Sequence, residues 1–161
     1  RPLSAYASYW VESGYKGHTL FSVSDGKVTA RAFGPTGEQV QVLDVPEQFS
    51  IGTHPVSADG WHLWYADALP ADAAAINLYS VEASADLAKP ILGALVKMPI
   101  EIVGEEVVET PAGRFETTHY RMMGATDLWV TGEDRLLVRM VQSRFDREYV
   151  LIRLTQESQT E

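Results

Sequence analysis

Alternation of apolar and polar positions dominates the first 45 residues. From Leu3 to Val11 the chain sets Leu3, Ala5, Ala7, Tyr9 and Val11 against Ser4, Tyr6, Ser8 and Trp10, the period-two signature of a half-buried strand. Gly14 ends it. Two further alternating runs, Tyr15 to Ser24 and Lys27 to Phe33, flank Asp25-Gly26, a dipeptide that supplies the positive φ angles of a two-residue type I′ hairpin. Gly34-Pro35-Thr36-Gly37 then turns the chain into Gln39 to Val45, and Pro46 stops the run. Hairpin logic therefore predicts a four-stranded antiparallel meander.

Residues 46–98 are less regular. Gly52-Thr53-His54-Pro55 and Ala58-Asp59-Gly60 read as loop, Trp61 to Tyr65 as a short aromatic strand, and Ile76 to Glu82 as another strand. Ser84 has the chemistry of an N-cap and Asp86 that of a first-turn acid, while Pro90 and Gly93 interrupt any long helix. Ser84 to Lys97 is accordingly predicted as an irregular helical excursion. From Ile100 onward the strand signal returns over Ile100 to Glu109, Arg114 to Met123, Asp127 to Thr131, Arg135 to Ser143 and Arg147 to Thr155. Thr110-Pro111-Ala112-Gly113 and Gly132-Glu133-Asp134 are the clearest turns between them. The expectation is one mainly β domain over residues 1–161, with an antiparallel, strongly curved sheet of half-barrel or barrel-like form.

Composition narrows the partners. Of 161 residues 45% are hydrophobic, and 13 basic against 22 acidic side chains give a formal charge of −9. That charge repels phosphate, so neither nucleic acid nor an anionic membrane surface is expected as a partner. No apolar run approaches the roughly 18 residues that span a bilayer, so no membrane insertion is expected. Cysteine is absent, which excludes disulfides, thiolate zinc sites and Cys nucleophiles. Oligomeric state is not readable from the sequence.

Residues 100–155 carry a resemblance. The run Val103-Gly104-Glu105-Glu106-Val107 leads to Thr110-Pro111-Ala112-Gly113-Arg114-Phe115-Glu116-Thr117, then to Asp127-Leu128-Trp129-Val130 and Leu136-Leu137-Val138-Arg139-Met140. In this order of turn, Trp-containing strand, acidic turn and amphipathic strand, the segment resembles the C-terminal part of bacterial DUF3108-type proteins. It is similar, more loosely, to periplasmic lipoprotein-carrier-like curved sheets. The resemblance covers about a third of the chain. It implies a half-barrel around an apolar interior, a periplasmic location and the holding of a hydrophobic molecule.

Two sets of side chains bear on chemistry. His54, Asp59, His62 and His119, with Arg121 on the strand of His119, form the acid–base set, because imidazole titrates near neutrality and a carboxylate orients it. Their spacing matches no metal motif such as HExxH, so no metal and no cofactor are expected. His119 is the preferred base if the protein is an enzyme, with Arg121 available to steady an anionic intermediate. The ordinary structural reading makes His54 a turn residue, His62 a rim residue and His119 a cross-strand partner. The second set is aromatic: Trp10, Phe33, Trp61, Trp64, Phe115, Tyr120 and Trp129 are candidates to line an interior cavity, with ordinary core as their alternative. No strained Gly-x-Ser-x-Gly elbow, GxGxxG or P-loop is present.

Three readings follow. The first is a binding module for a hydrophobic or aromatic small molecule held inside the curved sheet. The second is a cofactor-independent lyase, isomerase or hydrolase that uses the histidines in the same cavity. The third is a structural envelope protein without a ligand.

Overall fold

The Asp25-Gly26 hairpin forms as its sequence dictates, with φ of 50° and 71° at the two central residues. The computed structural model describes residues 2–53, 56–67, 75–82 and 84–155. Its first four strands, β1 (Ser4–Val11), β2 (Gly14–Ser24), β3 (Lys27–Gly34) and β4 (Gly37–Asp44), form the expected antiparallel meander in the order β1-β2-β3-β4. The remaining strands are β5 (Ser50–Gly52), β6 (Ala75–Val81), β7 (Gly93–Thr110), β8 (Gly113–Met122), β9 (Thr126–Thr131), β10 (Leu136–Gln142) and β11 (Arg147–Val150). The chain is mainly β, and the described strands do not close into a barrel.

Two expectations are corrected. Trp61 to Tyr65 is not a strand: a 3₁₀ helix over Val56–His62 runs directly into α1 (Leu63–Asp67). The helical excursion expected over Ser84 to Lys97 is absent, because Ser84 and Asp86 spend their side-chain oxygens on local turns and the chain enters β7 at Gly93. The Ser84 hydroxyl accepts from the Asp86 amide at 3.2 Å, and the Asp86 carboxylate from the Ala88 amide at 2.9 Å, bonds equally at home in an Asx-type turn. The pairing is predominantly antiparallel, as expected, with one exception. Ile51 pairs with Tyr79 in a parallel ladder between β5 and β6, which the intervening chain is long enough to permit.

The chain gathers into two compact units. One comprises Arg1–Pro55 and Ala75–Met98, the other Val56–Ala74 and Pro99–Glu161. β7 supplies its first residues to the former and the rest to the latter. In the first unit the inward positions of the meander meet β5, β6 and the segment before β7. Ala7, Phe21, Val28, Ala30, Phe49, Ile51, Tyr79 and Ile91 form one buried cluster, in which Phe21 and Tyr79 pack edge to face at 5.6 Å. A buried lysine ties this unit together. Lys16 Nζ donates to the carbonyls of Ser84 at 2.5 Å and Asp86 at 2.6 Å, so its charge is met by carbonyl oxygens.

The second unit is an antiparallel run from β7 through β8, β9 and β10 to β11. Leu128, Val130, Val138 and Met140 are fully buried in it. The 3₁₀ turn lies close against β10, since a Cβ on Gly60 would sit 2.1 Å from the Arg135 carbonyl oxygen. Only glycine fits there.

Candidate functional site

The outward positions of β1, β2 and β3 carry rings where polar residues would ordinarily face water. Tyr6 and Trp10 project from β1, Tyr15 and His18 from β2, and Phe33 from β3. Trp10 and Tyr15 are 5.0 Å apart between centroids, Tyr15 and His18 6.4 Å, His18 and Phe33 5.0 Å, and Tyr6 and His18 5.9 Å. The five rings therefore form one continuous row across three strands. Trp10 is 75% exposed, Tyr6 56% and Tyr15 41%, so ring surface is open to solvent at the β1 side of the row.

A bulge makes the row possible. Pairing slips between Tyr9 and Trp10, where Tyr9 faces Gly17 and Trp10 faces Tyr15, so Lys16 is the extra residue. It turns inward to its two carbonyls while Tyr15 and His18 share the outer face. Gly17 has φ of 143°, and a Cβ there would meet the Phe33 carbonyl oxygen at 2.3 Å. The close approach of β3 thus needs glycine at this position.

The charges on this face close on themselves. Arg31 donates through Nε and Nη2 to one oxygen of Glu38, at 2.9 and 2.6 Å, and its guanidinium lies 5.9 Å from the Phe33 centroid. Lys27 pairs with Asp44.

A second cluster occupies the strands of the other unit. His119, opposite Trp129 across β8 and β9, stacks on the indole at 4.3 Å with planes 17° apart. Its Nε2 lies 2.8 Å from Asp127 Oδ1 and its Nδ1 3.1 Å from Glu106 Oε1. Arg121 Nε donates to the same Asp127 oxygen at 2.9 Å, and Trp129 Nε1 donates to the same Glu106 oxygen. The Arg139 guanidinium caps the far side of this arrangement, 5.0 Å from the Trp129 ring, and donates to Glu148 at 2.7 Å. Both ring nitrogens of His119 thus face carboxylates. A base needs an accessible lone pair aimed at substrate; here the ring is buried and its nitrogens are taken by Glu106 and Asp127.

The other sequence candidates fall as follows. Asp59 and His62 lie in the 3₁₀ turn, His62 buried and the Asp59 carboxyl pushed up to about 6 by desolvation. His54 lies outside the described residues. Trp61 and Trp64 are both about half exposed and stack in parallel at 6.1 Å with planes 2° apart; Trp64 Nε1 donates to the Glu133 carbonyl at 2.9 Å. Tyr120 is buried, and its hydroxyl donates to Asp67 Oδ1 at 2.9 Å. Burial, reinforced by the Glu105 carboxylate, raises its pKa above the usual phenolic value. Phe115 packs with Val108, Trp129 and Val138. Trp10 and Phe33 sit on the outer face of the meander while Phe21 and Tyr79 fill its core, so the expectation that these two line the interior is corrected. The row itself escaped sequence reading, although the Leu3 to Val11 alternation already separates Tyr6 and Trp10 from Ala7 and Tyr9.

Cavities lined by described residues adjoin some of these features. One of 220 Å³ is lined by Glu105, Glu106, Val107, Glu116 and Thr117, and one of 150 Å³ by Val56, Leu137, Tyr149, Val150 and Leu151. Both fall short of the roughly 300–1,000 Å³ usual for a drug-sized ligand. Among the described residues no group of three or more His, Asp or Glu is placed to hold a metal ion, and no helix is long and apolar enough to cross a membrane. Comparison with protein-family models, with curated proteins and with solved structures finds no match to this chain.

Proposed function

We propose that the protein is a binding module that takes a small molecule with an aromatic or otherwise apolar ring face, docked on the row formed by Tyr6, Trp10, Tyr15, His18 and Phe33. The observation that carries this reading is the exposure of the row: a 75% exposed Trp10 next to a 56% exposed Tyr6 on one strand face. Large rings left in water on a sheet face are costly unless something covers them. The rings pack on one another, and the Tyr15 hydroxyl and His18 Nδ1 are hydrogen-bonded at 2.7 Å. The row is ordered before a ligand arrives, which lowers the entropy cost of binding.

Binding is favoured over catalysis by the state of His119, whose nitrogens are both held by carboxylates. Docking on the outer face is favoured over an interior site by the Phe21, Phe49 and Tyr79 packing that fills the core of the meander. What the resemblance of residues 100–155 to DUF3108-type proteins implies points the same way, towards a carrier or binding module. Tryptophan fluorescence tests the reading: ring-bearing compounds should shift the emission of the parent and lose that effect in Trp10→Ala. Shifts that persist unchanged in Trp10→Ala would place the ligand elsewhere.

A further inference from the structure

We propose that the ligand of the ring row is a neutral saccharide, bound through the C–H faces of its pyranose rings; the inference rests on the binding face described above. Shape is the first ground. An open sheet face touches a ligand from one side, whereas a fatty acid or sterol is held by burying about 70–90% of its surface. The occupant must therefore keep its other side in water at no cost. A pyranose does so: its axial C–H groups form a weakly positive apolar patch that meets the negative face of an aromatic ring, while its hydroxyls stay hydrated around the rim.

Polar groups among the rings are the second ground. Ser8 stands between Tyr6 and Trp10 on the outward side of β1, directly opposite His18, and the Tyr15 hydroxyl lies beside the same imidazole. The Ser8 and Tyr15 hydroxyls donate and accept without carrying a formal charge, which suits hydroxyl rims. Charge is the third. The outward positions of the meander hold Lys27, Arg31, Glu38 and Asp44, joined as two ion pairs. These four side chains sum to zero on a chain whose formal charge is −9. An anionic lipid or a charged peptide gains no net attraction there, and a neutral ligand suffers no penalty. A second copy of the chain is a poorer fit, because the centre of a self-association surface is depleted in charged residues and Arg31–Glu38 adjoins Phe33.

The test uses the whole chain. Neutral oligosaccharides of glucose, xylose and N-acetylglucosamine, and separately a naphthalene-type aromatic probe, are titrated while tryptophan fluorescence is followed. The parent is compared with Trp10→Ala, Tyr6→Ala and Trp64→Ala, each checked for fold by circular dichroism and for mass in solution. The expected result is binding of at least one oligosaccharide, weakened about tenfold or more by Trp10→Ala or Tyr6→Ala, or ~1.4 kcal/mol, and untouched by Trp64→Ala. Binding of the aromatic probe at Trp10 without any saccharide overturns the saccharide assignment and leaves the binding face standing. Binding of neither probe overturns both. Saccharide binding that depends on Trp64 moves the site to the other unit, and a dimer that dissociates in Trp10→Ala makes a second copy the occupant; either outcome overturns the proposal.

Discussion

Tyr15 and His18 are three residues apart on one strand, yet their side chains share a face and a 2.7 Å hydrogen bond. In a regular strand an odd spacing sends side chains to opposite faces. The extra residue, Lys16, restores the parity, and Gly17 lets β3 close up behind it. Gly17→Ala should therefore damage both stability and binding. Positive φ alone costs about 1–3 kcal/mol in an L-residue, and the 2.3 Å approach to the Phe33 oxygen adds to it. A urea midpoint that does not fall would refute this account of the bulge.

Trp10→Ala is the complementary case. The side chain is mostly in water, so its removal should change stability by about 0.5 kcal/mol or less while abolishing most ligand binding. A large drop in denaturation midpoint would show that the indole is packed rather than presented.

Trp129 belongs to the opposite class. It is 9% exposed and sits between the His119 ring and the Arg139 guanidinium. Trp129→Ala should cost about 3–5 kcal/mol, as for other large core truncations. His119→Ala should cost about 1–3 kcal/mol, because it removes a buried ring that stacks on Trp129 and a hydrogen-bond partner of Asp127. Chemical denaturation of the two variants checks both values; a neutral His119→Ala would return that residue to the list of candidate bases.

Asp59 gives a pH dependence with a definite sign. Burial raises its carboxyl from 3.8 to about 6, so between these values the folded chain holds a proton that the unfolded chain releases. The contribution of Asp59 to stability is full below pH 3.8 and is lost as pH rises through about 6. Asp59→Asn should remove this component, making the variant gain on the parent as pH goes from 4 to 7. Thermal melts across that range would contradict the assignment if the gap between the two proteins stayed constant.

The sequence was legible where a single local rule governs. Asp25-Gly26 takes positive φ because its neighbours alternate on both sides, and the strands from β8 to β11 begin and end near their turn residues. It was misleading where two rules share a signal. Trp61-His62-Leu63-Trp64-Tyr65 is rich in β-formers, but Trp61 and Trp64 recur at a helical spacing and stack outward while His62 and Leu63 are buried; a run of this length is too short to tell the periods apart. Ser84 and Asp86 cap turns with the same hydrogen bonds that start a helix. At the site, alternation places Trp10 with Tyr6, yet nothing local shows that Lys16 is an extra residue, so the joining of Tyr15 to His18 and Phe33 appears only with the strand pairing. The carboxylates around His119 come from β7 and β9, and only the register brings Glu106 and Asp127 to it.

The interleaving of the two units along the chain has a kinetic consequence. The meander is closed by two-residue and short loops, contacts that form within microseconds, but its buried face is completed only by Tyr79 and Ile91, which follow the Val56–Ala74 segment assigned to the other unit. During synthesis the four hairpin-linked strands emerge with Phe21 uncovered until β6 arrives to pair in parallel with β5, a non-local and hence slow closure. Pulse-labelled amide exchange should therefore find protection in β2 and β3 well before it appears across the Ile51–Tyr79 pairing, and the interval between the two is the period in which this chain is most exposed to aggregation.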